Sequence, residues 1–316
     1  MIELERVTKI YPMGGEEVRA LAGIDLQIQS GEYVAIVGPS GSGKSTLMNI
    51  LGCLDSPTSG SYRLDGEEVS RLDDDALARF RNRQVGFVFQ TFNLMPRMSA
   101  LKNVELPLVY GGLPPVERRE RAERALALVD LTDRMHHVPN ELSGGQRQRV
   151  GVARALAADP PVLLMDEPFG AVDPIVRARL QAEFRAILRG LRKTVIFVTH
   201  DVDEAIRMGD RIAILREGGV LAQYDTPDAI LAHPADNFVA QFIGEDRALR
   251  RLALKTLRDA TLEPGSQSEP GSRVAPDTTV RNAVSLMLES GDEQLVVVDG
   301  DQVLGVFHLR DAGDLL

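Results

Sequence analysis

Uninterrupted runs of apolar residues recur along the chain and alternate with longer segments whose apolar residues follow a helical period. Such runs, bounded by glycine, proline or polar residues, are typical of strands that are buried on both faces of a parallel sheet. The runs lie at residues 33–37, 85–90, 161–167 and 193–200, with helical segments at 47–51, 100–159 and 174–190 between them. This alternation predicts an α/β fold with a parallel sheet.

The first 35 residues follow a different period, because apolar and polar residues there alternate almost one by one. One alternating set begins at Ile2 and a second begins at Val18, with glycine-containing turn signals at residues 14–15 and 30–31. Period-two alternation bounded by turns is typical of half-buried strands. We therefore expect an antiparallel sheet ahead of the first buried strand.

Each of the four apolar runs ends on residues that can contact phosphate, metal or water. These residues are Gly38, Gln90, the pair Asp166 and Glu167, and His200. In an open parallel sheet, ligands bind beyond the carboxyl ends of the strands. We therefore expect these residues to converge on one edge of the sheet.

The segment between the first apolar run and the following helix predicts a phosphate-binding loop. It reads Gly-Pro-Ser-Gly-Ser-Gly-Lys-Ser over residues 38–45, which matches the pattern G-x-x-x-x-G-K-[ST]. The glycines let successive amide groups curl around an anion, and the following helix adds its positive N-terminal end. Lys44 should reach the β- and γ-phosphates, and the Ser45 hydroxyl should ligate Mg²⁺. The strand before the loop and the helix after it argue against a chance glycine-rich turn, so the chain is predicted to bind a nucleoside triphosphate.

Two adjacent acids, Asp166 and Glu167, follow four apolar residues at the end of another strand. A carboxylate beside a phosphate loop is where Mg²⁺ needs an acidic ligand, so Asp166 is predicted to bind the metal. Neighbouring strand residues point to opposite sides, which leaves Glu167 to polarise a water molecule. Two solvated acids would be the simpler interpretation if the phosphate loop were absent.

A second anion site is predicted at Leu142-Ser-Gly-Gly-Gln146, which stands just ahead of a strongly helical segment. One chain has one phosphate loop, so the natural ligand of this helix start is a nucleotide held by another copy of the chain. Tyr11 ends the first strand, where its ring could stack on a nucleotide base. A rim aromatic without a ligand is about as compatible with the sequence, because stacking leaves no motif of its own.

Composition narrows the classes of function. The length of 316 residues favours two domains. The 36 Lys and Arg against 46 Asp and Glu give a net charge of -10, which disfavours nucleic acid as a partner. A single cysteine, Cys53, excludes an internal disulfide and suits a reducing compartment. Because the sequence shows neither a signal peptide nor an 18-residue apolar window, we expect a soluble protein that acts at a membrane only through a partner.

With these motifs in place, the chain resembles the ATP-binding subunits of ATP-binding-cassette (ABC) transporters over about residues 1–225. The family's motifs occur in order: Walker A at 38–45, the Q-loop at Gln90, the signature at 142–146, Walker B at 162–167, the D-loop at 171–173 and the switch histidine at His200, with Tyr11 at the position of the adenine-stacking aromatic.

The resemblance implies a head-to-tail homodimer in which two ATP molecules lie between the Walker A loop of one subunit and the signature of the other. It implies that Glu167 is the general base and that His200 holds the γ-phosphate and water. It assigns Mg²⁺ to Ser45, Gln90 and Asp166. The ATP contacts that it implies are Tyr11, Gly38, Pro39, Ser40, Gly41, Ser42, Gly43, Lys44, Ser45, Thr46 and Gln90. The contacts that it implies across the dimer are Ser143, Gly144, Gly145, Gln146 and Asp173.

The two halves of the chain resemble different subfamilies. Residues 49–55, 85–94 and 103–108 look like the macrolide-export and lipoprotein-release ATPases. From residue 166 onward, through 199–205, 224–227 and 242–244, the chain is similar to glycine betaine/choline (osmoprotectant) import ATPases. The export group usually carries Thr-Gly-Asn-Leu-Asp after the Glu-Pro of Walker B, and this chain does not.

The C-terminal residues predict a second unit. Residues 263–273 have the composition of a linker, and residues 274–316 follow the order strand, helix, strand, turn, strand. This unit resembles one CBS motif, the regulatory module of osmoprotectant import ATPases, which normally occurs as a pair. An inert folded tail is the alternative, because so short a unit buries little core alone.

The predicted fold class is α/β: a P-loop NTPase (RecA-like) core with an antiparallel β subdomain and a helical signature subdomain, plus a small C-terminal CBS-like α+β unit. The predicted domains are an ABC ATPase domain over residues 1–240, with the helical subdomain at about 91–158, a C-terminal helical extension and linker over 241–273, and a single CBS-like motif over 274–316.

The leading functional prediction is an ATPase subunit that couples ATP hydrolysis to uptake of quaternary-amine osmoprotectants of the glycine betaine, choline or proline type. The alternative is an ATPase of a macrolide-export or lipoprotein-release complex, because the segment after Gln90, which contacts the membrane subunit in the family, is export-like. A soluble ABC ATPase without a transport role is more distant, since the sequence shows neither a coiled-coil insertion nor a second cassette. The expected partners are membrane permease subunits, a second copy of the chain and a substrate-binding protein, at the cytoplasmic face of the inner or plasma membrane.

Overall fold

The computed structural model describes residues 1–170, 172–266 and 268–316. Ala171, in the predicted D-loop, and Gln267, in the predicted linker, lie outside the described residues. The chain divides into two compact units, Met1–Tyr224 and Asp225–Leu316.

The first unit contains two sheets and the helices that flank them. Its strands are β1 (Ile2–Met13), β2 (Glu16–Ile28), β3 (Tyr33–Val37), β4 (Ser59–Leu64), β5 (Glu67–Glu68), β6 (Val85–Phe89), β7 (Val162–Asp166), β8 (Thr194–Val198), β9 (Arg211–Arg216) and β10 (Val220–Asp225). Its helices are α1 (Lys44–Leu51), α2 (Asp74–Gln84), α3 (Ala100–Tyr110), α4 (Pro115–Leu128), α5 (Gly144–Ala157), α6 (Pro174–Gly190) and α7 (Val202–Met208).

The larger sheet has the strand order β10-β9-β3-β8-β7-β6. β3 runs parallel to both β8 and β9, and β7 runs parallel to β8 and β6. Every residue of β3 and β8 is buried, which explains why these strands are uninterrupted apolar runs. The predicted α/β fold is confirmed, and the loops that follow β3, β6, β7 and β8 open at the same edge of the sheet.

The smaller sheet has the order β2-β1-β4-β5, and its strands pair antiparallel. Ile2 pairs with Ile28 on one side and with Leu64 on the other, and all three side chains are buried. The alternating residues of the first 35 positions therefore form one apolar face. That face shares a core with α1, so the phosphate loop lies between two packed sheets.

Residues between β6 and β7 form a helical region in which α3, α4 and α5 pack on one another. Asn103 of α3 is fully buried, and its side chain holds the preceding loop. Its Oδ1 accepts a hydrogen bond from Met95 N at 2.7 Å, and its Nδ2 donates to Met98 O at 3.1 Å. The irregular segment that follows Gln90 is therefore tied to the start of α3.

The second unit contains α8 (Pro227–Ala232), α9 (Asn237–Ile243), α10 (Arg247–Leu252) and α11 (Val280–Ser290). Its sheet has the order β11 (Ser272–Val274), β12 (Gln294–Asp299) and β13 (Gln302–His308), with β11 parallel and β13 antiparallel to β12. The strand–helix–strand–strand order agrees with the sequence pattern.

The core of the second unit reaches across the limits that the sequence places at residues 240 and 273. Leu252 and Leu257 are buried in the same cluster as Leu295 and Phe307. Within the predicted linker, Glu263 exchanges two backbone hydrogen bonds with Val306 of β13, at 3.0 and 2.8 Å. The linker composition did not predict this pairing, because backbone hydrogen bonds to a sheet edge leave no side-chain pattern.

Candidate active site

The phosphate loop between β3 and α1 depends on three glycines. Gly38, Gly41 and Gly43 have φ angles of 155°, 79° and 88°, which other residues rarely adopt. A Cβ on Gly38 would lie 2.3 Å from the carbonyl oxygen of Leu215, and a Cβ on Gly43 would lie 2.3 Å from that of Ala20. Side chains are excluded at both positions, so the loop keeps the curl that a phosphate needs.

The start of α1 offers hydrogen-bond donors without partners that fit an anion. Gly43 caps this helix without a side-chain hydrogen bond, which leaves its first amide groups available. The hydroxyl of Ser42 is buried and has no hydrogen-bond partner among the described residues. Ser45 and Thr46 lie in the same first turn. A bound phosphate would satisfy these donors, as expected at a helix N-terminus.

Lys44 places its ammonium group inside the phosphate loop. Its Nζ donates hydrogen bonds to the carbonyl oxygens of Gly38 at 2.9 Å and Pro39 at 2.8 Å. Burial lowers the pKa of Lys44, while the charges of Glu167 and Asp166 act in the opposite direction. The lysine is thus close to both acids, and a negative phosphate would stabilise its charged form.

Asp166 ends β7 in an environment that favours a cation. Burial and the neighbouring charge of Glu167 raise the pKa of Asp166, and the charge of Lys44 opposes this. A carboxylate that is destabilised in this way gains from a bound metal ion, because the cation offsets both effects.

Glu167 lies beside the predicted switch histidine. Its Oε1 is 3.1 Å from Nδ1 of His200, and its backbone N donates to the carbonyl oxygen of Val198 on β8 at 2.9 Å. Glu167 has a φ of 42°, which is uncommon for a residue with a side chain and typical of functional positions. The His200 side chain is 71% exposed, so this pair faces an open space in which a water molecule can sit.

Gln90 lies next to the loop that carries the acids. A Cβ on Gly170 would be 2.8 Å from Gln90 Nε2, so this glycine allows the glutamine to approach. Gly170 N in turn donates to the carbonyl oxygen of Glu167 at 3.0 Å. The structure therefore brings together Gln90, the acid pair, His200 and the phosphate loop, as the strand ends predicted.

The donors around this site suit Mg²⁺. No group of three or more His, Cys, Asp or Glu side chains that could hold a metal occurs in the part of the chain that the structure describes. The predicted ligands Ser45, Gln90 and Asp166 offer a hydroxyl, an amide oxygen and a single carboxylate. Mg²⁺ is usually held in this way, by one or two carboxylates together with water and substrate phosphates.

Tyr11 is held by two neighbours that the sequence analysis did not identify. Its hydroxyl donates to Asp55 Oδ2 at 2.7 Å, and the Lys9 ammonium lies 5.0 Å from the centre of its ring. Lys9 also donates to Asp55. Burial and the hydrogen bond to Asp55 raise the pKa of Tyr11, whose hydroxyl also contacts Thr46 of α1. The ring is therefore fixed beside the helix that carries the phosphate loop.

One signal for these neighbours was present in the sequence. Lys9 and Tyr11 are two residues apart on β1, so their side chains share a face of the strand. Asp55 follows α1, and no spacing rule connects it with Tyr11. The pairing of β1 with β4, in which Thr8 lies opposite Ser59, brings Asp55 close to Tyr11.

The signature residues form the start of α5. Ser143 caps this helix by accepting a hydrogen bond from Gln146 N at 3.3 Å, and Gln146 Oε1 accepts one from Ser143 N at 2.9 Å. Gly144 and Gly145 are the first residues of the helix. These contacts are within the signature itself, and Ser143 is exposed.

Asp173 directly precedes α6, and its carbonyl oxygen accepts a hydrogen bond from Arg177 N at 2.9 Å. Asp173 and the exposed Ser143 are two of the five positions that the family resemblance assigns to contacts across a dimer; Gly144, Gly145 and Gln146 are the others. Ala171 of the same predicted loop is outside the described residues.

A separate cavity of about 820 Å³ lies between α2, β6, α3 and α5. Its apolar lining includes Phe87, Phe89, Met95, Leu106 and Tyr110, and its basic lining consists of Arg79, Arg81, Arg83 and Arg154. Arg154 donates to the backbone oxygens of Phe92 and Asn93, in the segment that follows Gln90. None of the described residues that line the cavity is acidic.

Two family models match the chain. The ABC transporter model matches residues 21–170, and the CBS domain model matches residues 273–312. Among the described residues, no helix is both long and apolar enough to span a membrane.

Curated relatives fall into two groups, which differ in how much of this chain they match. An uncharacterised ABC transporter ATP-binding protein of Bacillus subtilis, YknY, is 53% identical over 221 residues, which are 70% of this chain and 95% of the relative. The glycine betaine/carnitine/choline transport ATP-binding protein OpuCA of Bacillus subtilis is 43% identical over 305 residues, which are 96% of this chain and 77% of the relative. The osmoprotectant import ATP-binding protein OsmV of Salmonella typhimurium is 40% identical over 316 residues, which are 99% of this chain and 80% of the relative.

One of the similar solved structures is also an ATP-binding cassette. It is the dimeric, post-hydrolysis state of the ATP-binding cassette MJ0796 of Methanocaldococcus jannaschii, bound to ADP and Pi. Its chain is 45% identical, covers 72% of this chain and 98% of its own length, and superimposes with a TM-score of 0.64.

Proposed function

Because the chain belongs to the family of ABC transporter ATP-binding subunits, we propose that two copies of it hydrolyse ATP with Mg²⁺ and thereby drive uptake of quaternary-amine osmoprotectants. ATP binding and hydrolysis are the activities of the family. The individual roles of the residues and the transported substrate are the parts that we propose. The observation that carries the catalytic part is the pair Glu167 and His200, which faces open space beside Lys44 and Asp166.

We infer that the phosphates of ATP lie in the loop of Gly38, Pro39, Ser40, Gly41, Ser42 and Gly43. Lys44 would then exchange its two carbonyl contacts for the β- and γ-phosphates. The unpartnered hydroxyl of Ser42 and the uncapped amides of α1 supply further donors. Tyr11 would stack on the base, since its ring is already held by Asp55 and Lys9.

In the hydrolysis step, Glu167 would accept a proton from the attacking water, and His200 would keep the Glu167 carboxylate and the water in place. Bound Mg²⁺ would supply positive charge to the β- and γ-phosphate oxygens. Ser45, Gln90 and Asp166 would hold the ion. The exposed Ser143, with Gly144, Gly145, Gln146 and Asp173, would contact the nucleotide of the other subunit.

The proposed substrate rests on how far the resemblance extends. OpuCA and OsmV match over the second unit as well as the first; OpuCA is a glycine betaine/carnitine/choline transport ATP-binding protein and OsmV is an osmoprotectant import ATP-binding protein. YknY, which has the higher identity, matches only 221 residues. A chain that shares the CBS unit with the importers is best explained as one of them, with a membrane permease and a substrate-binding protein as partners.

Export remains the second candidate. Residues 85–94 and 103–108 look export-like, and the relative with 53% identity, YknY, matches only 70% of the chain, unlike the importers. Uptake of labelled glycine betaine by vesicles that contain this subunit assembled with a membrane permease separates import from export. ATP-dependent accumulation supports import, whereas ATP hydrolysis without accumulation, together with efflux of a hydrophobic drug, supports export.

The basic cavity between α2, β6, α3 and α5 is where we place the membrane subunit. It combines apolar walls with the exposed Arg79 and Arg83, so it suits a short amphipathic segment that carries acidic residues. Arg154 lines this cavity and also holds the segment after Gln90 by two hydrogen bonds. A segment that docks in the cavity would therefore shift the position of Gln90 in the active site. Arg79→Glu combined with Arg83→Glu should reduce transport at least about tenfold by charge repulsion, while the isolated subunit keeps its ATPase rate.

The catalytic proposal is tested by Glu167→Gln. Removal of a general base costs at least about 100-fold in turnover, and the amide keeps the size of the side chain, so ATP should still bind. Turnover by phosphate release and ATP affinity by equilibrium binding are measured on the same preparation. Hydrolysis at the wild-type rate in this variant excludes Glu167 as the base.

A further inference from the structure

Glu204 is a buried acid that has no part in the site described above. It lies on α7, and its side chain is only 7% exposed. Burying a carboxylate is costly unless its oxygens receive hydrogen bonds. Here both oxygens do: Oε1 accepts one from Gln181 Nε2 at 3.0 Å, and Oε2 accepts one from the hydroxyl of Thr199. The chain therefore maintains an acid inside the protein together with two dedicated donors.

Thr199 connects this acid to the loop that carries His200. The threonine precedes the histidine directly and is 1% exposed. Its hydroxyl accepts a hydrogen bond from Asp201 N at 3.1 Å, and its backbone N donates to Ile36 O of β3 at 3.2 Å. The residues on both sides of His200 are thus tied to one hydroxyl, and that hydroxyl is oriented by Glu204.

Gln181 connects the same acid to α6. This glutamine is also buried, at 7% exposure, and lies on the helix that begins directly after Asp173. Burial raises the pKa of Glu204, and the two hydrogen bonds and the charge of Arg177, also on α6, act against this. Glu204 therefore joins α6, α7 and the end of β8.

We propose that Glu204, through Thr199 and Gln181, is a positioning residue that sets the place of His200 relative to Glu167 and links it to α6. The inference rests on the proposed function, because it takes Glu167 and His200 as the catalytic pair. His200 is exposed and its Nδ1 has one partner in the described chain, Glu167 at 3.1 Å. Its own contacts do not hold it firmly, so the rigidity of its backbone determines where the ring lies.

The link to α6 adds a route between the two sites of a dimer. A partner subunit that contacts Asp173 would act on the start of α6. Any displacement of that helix changes the hydrogen bond from Gln181 to Glu204, which shares its carboxylate with Thr199. Two sites are coupled in this way only if a physical element is biased by both, and here that element is the loop at residues 199–201.

The test compares Thr199→Val with Thr199→Ser. Valine keeps the shape of threonine but removes the hydroxyl, whereas serine retains it. We expect Thr199→Val to lower kcat between about 10- and 100-fold, the range that a misplaced catalytic group produces, with the Kd for ATP changed less than twofold. Thr199→Ser should restore kcat to within about threefold of wild type. Equal kcat in both variants overturns the proposal, as does a parallel loss of kcat, ATP affinity and melting temperature in Thr199→Val.

A second variant removes the acid together with both of its donors. Replacing all partners of a buried hydrogen bond by apolar groups costs little stability, so Thr199→Val with Glu204→Met and Gln181→Leu should fold even if one of the single variants does not. Its kcat should be no lower than that of Thr199→Val, because the changes act through the same contacts. A folded triple variant with wild-type kcat overturns the proposal.

The α6 arm is tested by a double-mutant cycle between Gln181→Leu and Asp173→Ala. If α6 transmits a signal between the two residues, the double variant should lower kcat by clearly less than the product of the two single fold-reductions. A double variant whose fold-reduction equals that product contradicts the proposed link through α6. Glu167→Gln is assayed in parallel. Wild-type hydrolysis there contradicts the proposed function, whereas an inactive Glu167→Gln beside a fully active Thr199→Val contradicts only the role of Glu204.

Discussion

Nδ1 of His200 lies 3.1 Å from Oε1 of Glu167, although the two residues are 33 positions apart in the sequence and follow different strands. β7 and β8 are adjacent and parallel, with Asp166 paired to Val198, so the residues just beyond each strand meet. The contact therefore follows from the register of two buried strands. It places an imidazole ring beside the acid that we propose as the base.

His200→Ala should slow ATP turnover by about 10- to 100-fold, because Glu167 and the water would lose the group that orients them. ATP should still bind, since the phosphate loop and Lys44 are unchanged. His136→Ala is the matched control, because this histidine is exposed and outside the site. A loss of turnover in the control of similar size would mean that the assay reports general damage.

Mixing two inactive variants tests the shared site. Lys44→Ala removes the phosphate anchor, and Ser143→Arg blocks the exposed signature with a large charged side chain. If each site uses Lys44 of one subunit and Ser143 of the other, a mixed dimer contains one site with both lesions and one site with neither. Activity should reappear on mixing. If verified mixed dimers remain inactive, the sites are not assembled from two chains.

Tyr11→Ala should weaken ATP binding by roughly 5- to 150-fold, the effect of losing one base–aromatic stack. Asp55→Asn should weaken it less, because the ring stays but loses the charged acceptor of its hydroxyl. The double variant Tyr11→Phe with Asp55→Asn should bind ATP no more weakly than Tyr11→Phe alone. Equilibrium binding of a fluorescent ATP analogue measures all four proteins, and independent effects of the two residues would show that Asp55 does not act through the ring.

Gly170→Ala should raise the Mg²⁺ concentration that is needed for half-maximal ATPase activity. The new Cβ would lie 2.8 Å from Gln90 Nε2 and would push this flexible side chain away from the site. Stability should change little, since the conflict is with the end of a side chain. Gly190→Ala, where a Cβ has no neighbour within 4 Å, is the control. An unchanged Mg²⁺ requirement in Gly170→Ala would argue against Gln90 as a ligand.

Leu257→Ala should lower the stability of the second unit by about 2–5 kcal/mol, as expected for a fully buried leucine. Hydrogen exchange of the β12 and β13 amides measures the stability of the second unit alone. Leu249→Ala should have almost no effect, because this leucine is 52% exposed. Protection that stays unchanged in Leu257→Ala would mean that residues 274–316 are stable without the preceding segment.

The sequence by itself determined the α/β class, the four buried parallel strands β3, β6, β7 and β8, and the residues that we propose for the site. Buried parallel strands need continuous apolar runs, a phosphate loop needs its glycines, and a metal needs a carboxylate at a strand end, so each of these leaves a local pattern. Gly38, Lys44, Asp166, Glu167 and His200 could be proposed from the sequence because their chemistry is tied to their place in the chain.

Only the tertiary structure decided which residues hold those groups in place. Asp55 reaches Tyr11, Glu204 reaches Gln181, and Glu263 pairs with Val306 across separations that no period or motif encodes. The same holds for the extent of the second unit, whose core joins Leu252 to Phe307. These contacts depend on how whole sheets and helices pack. The identity of a single acid or leucine in the sequence therefore does not indicate which residue it will contact.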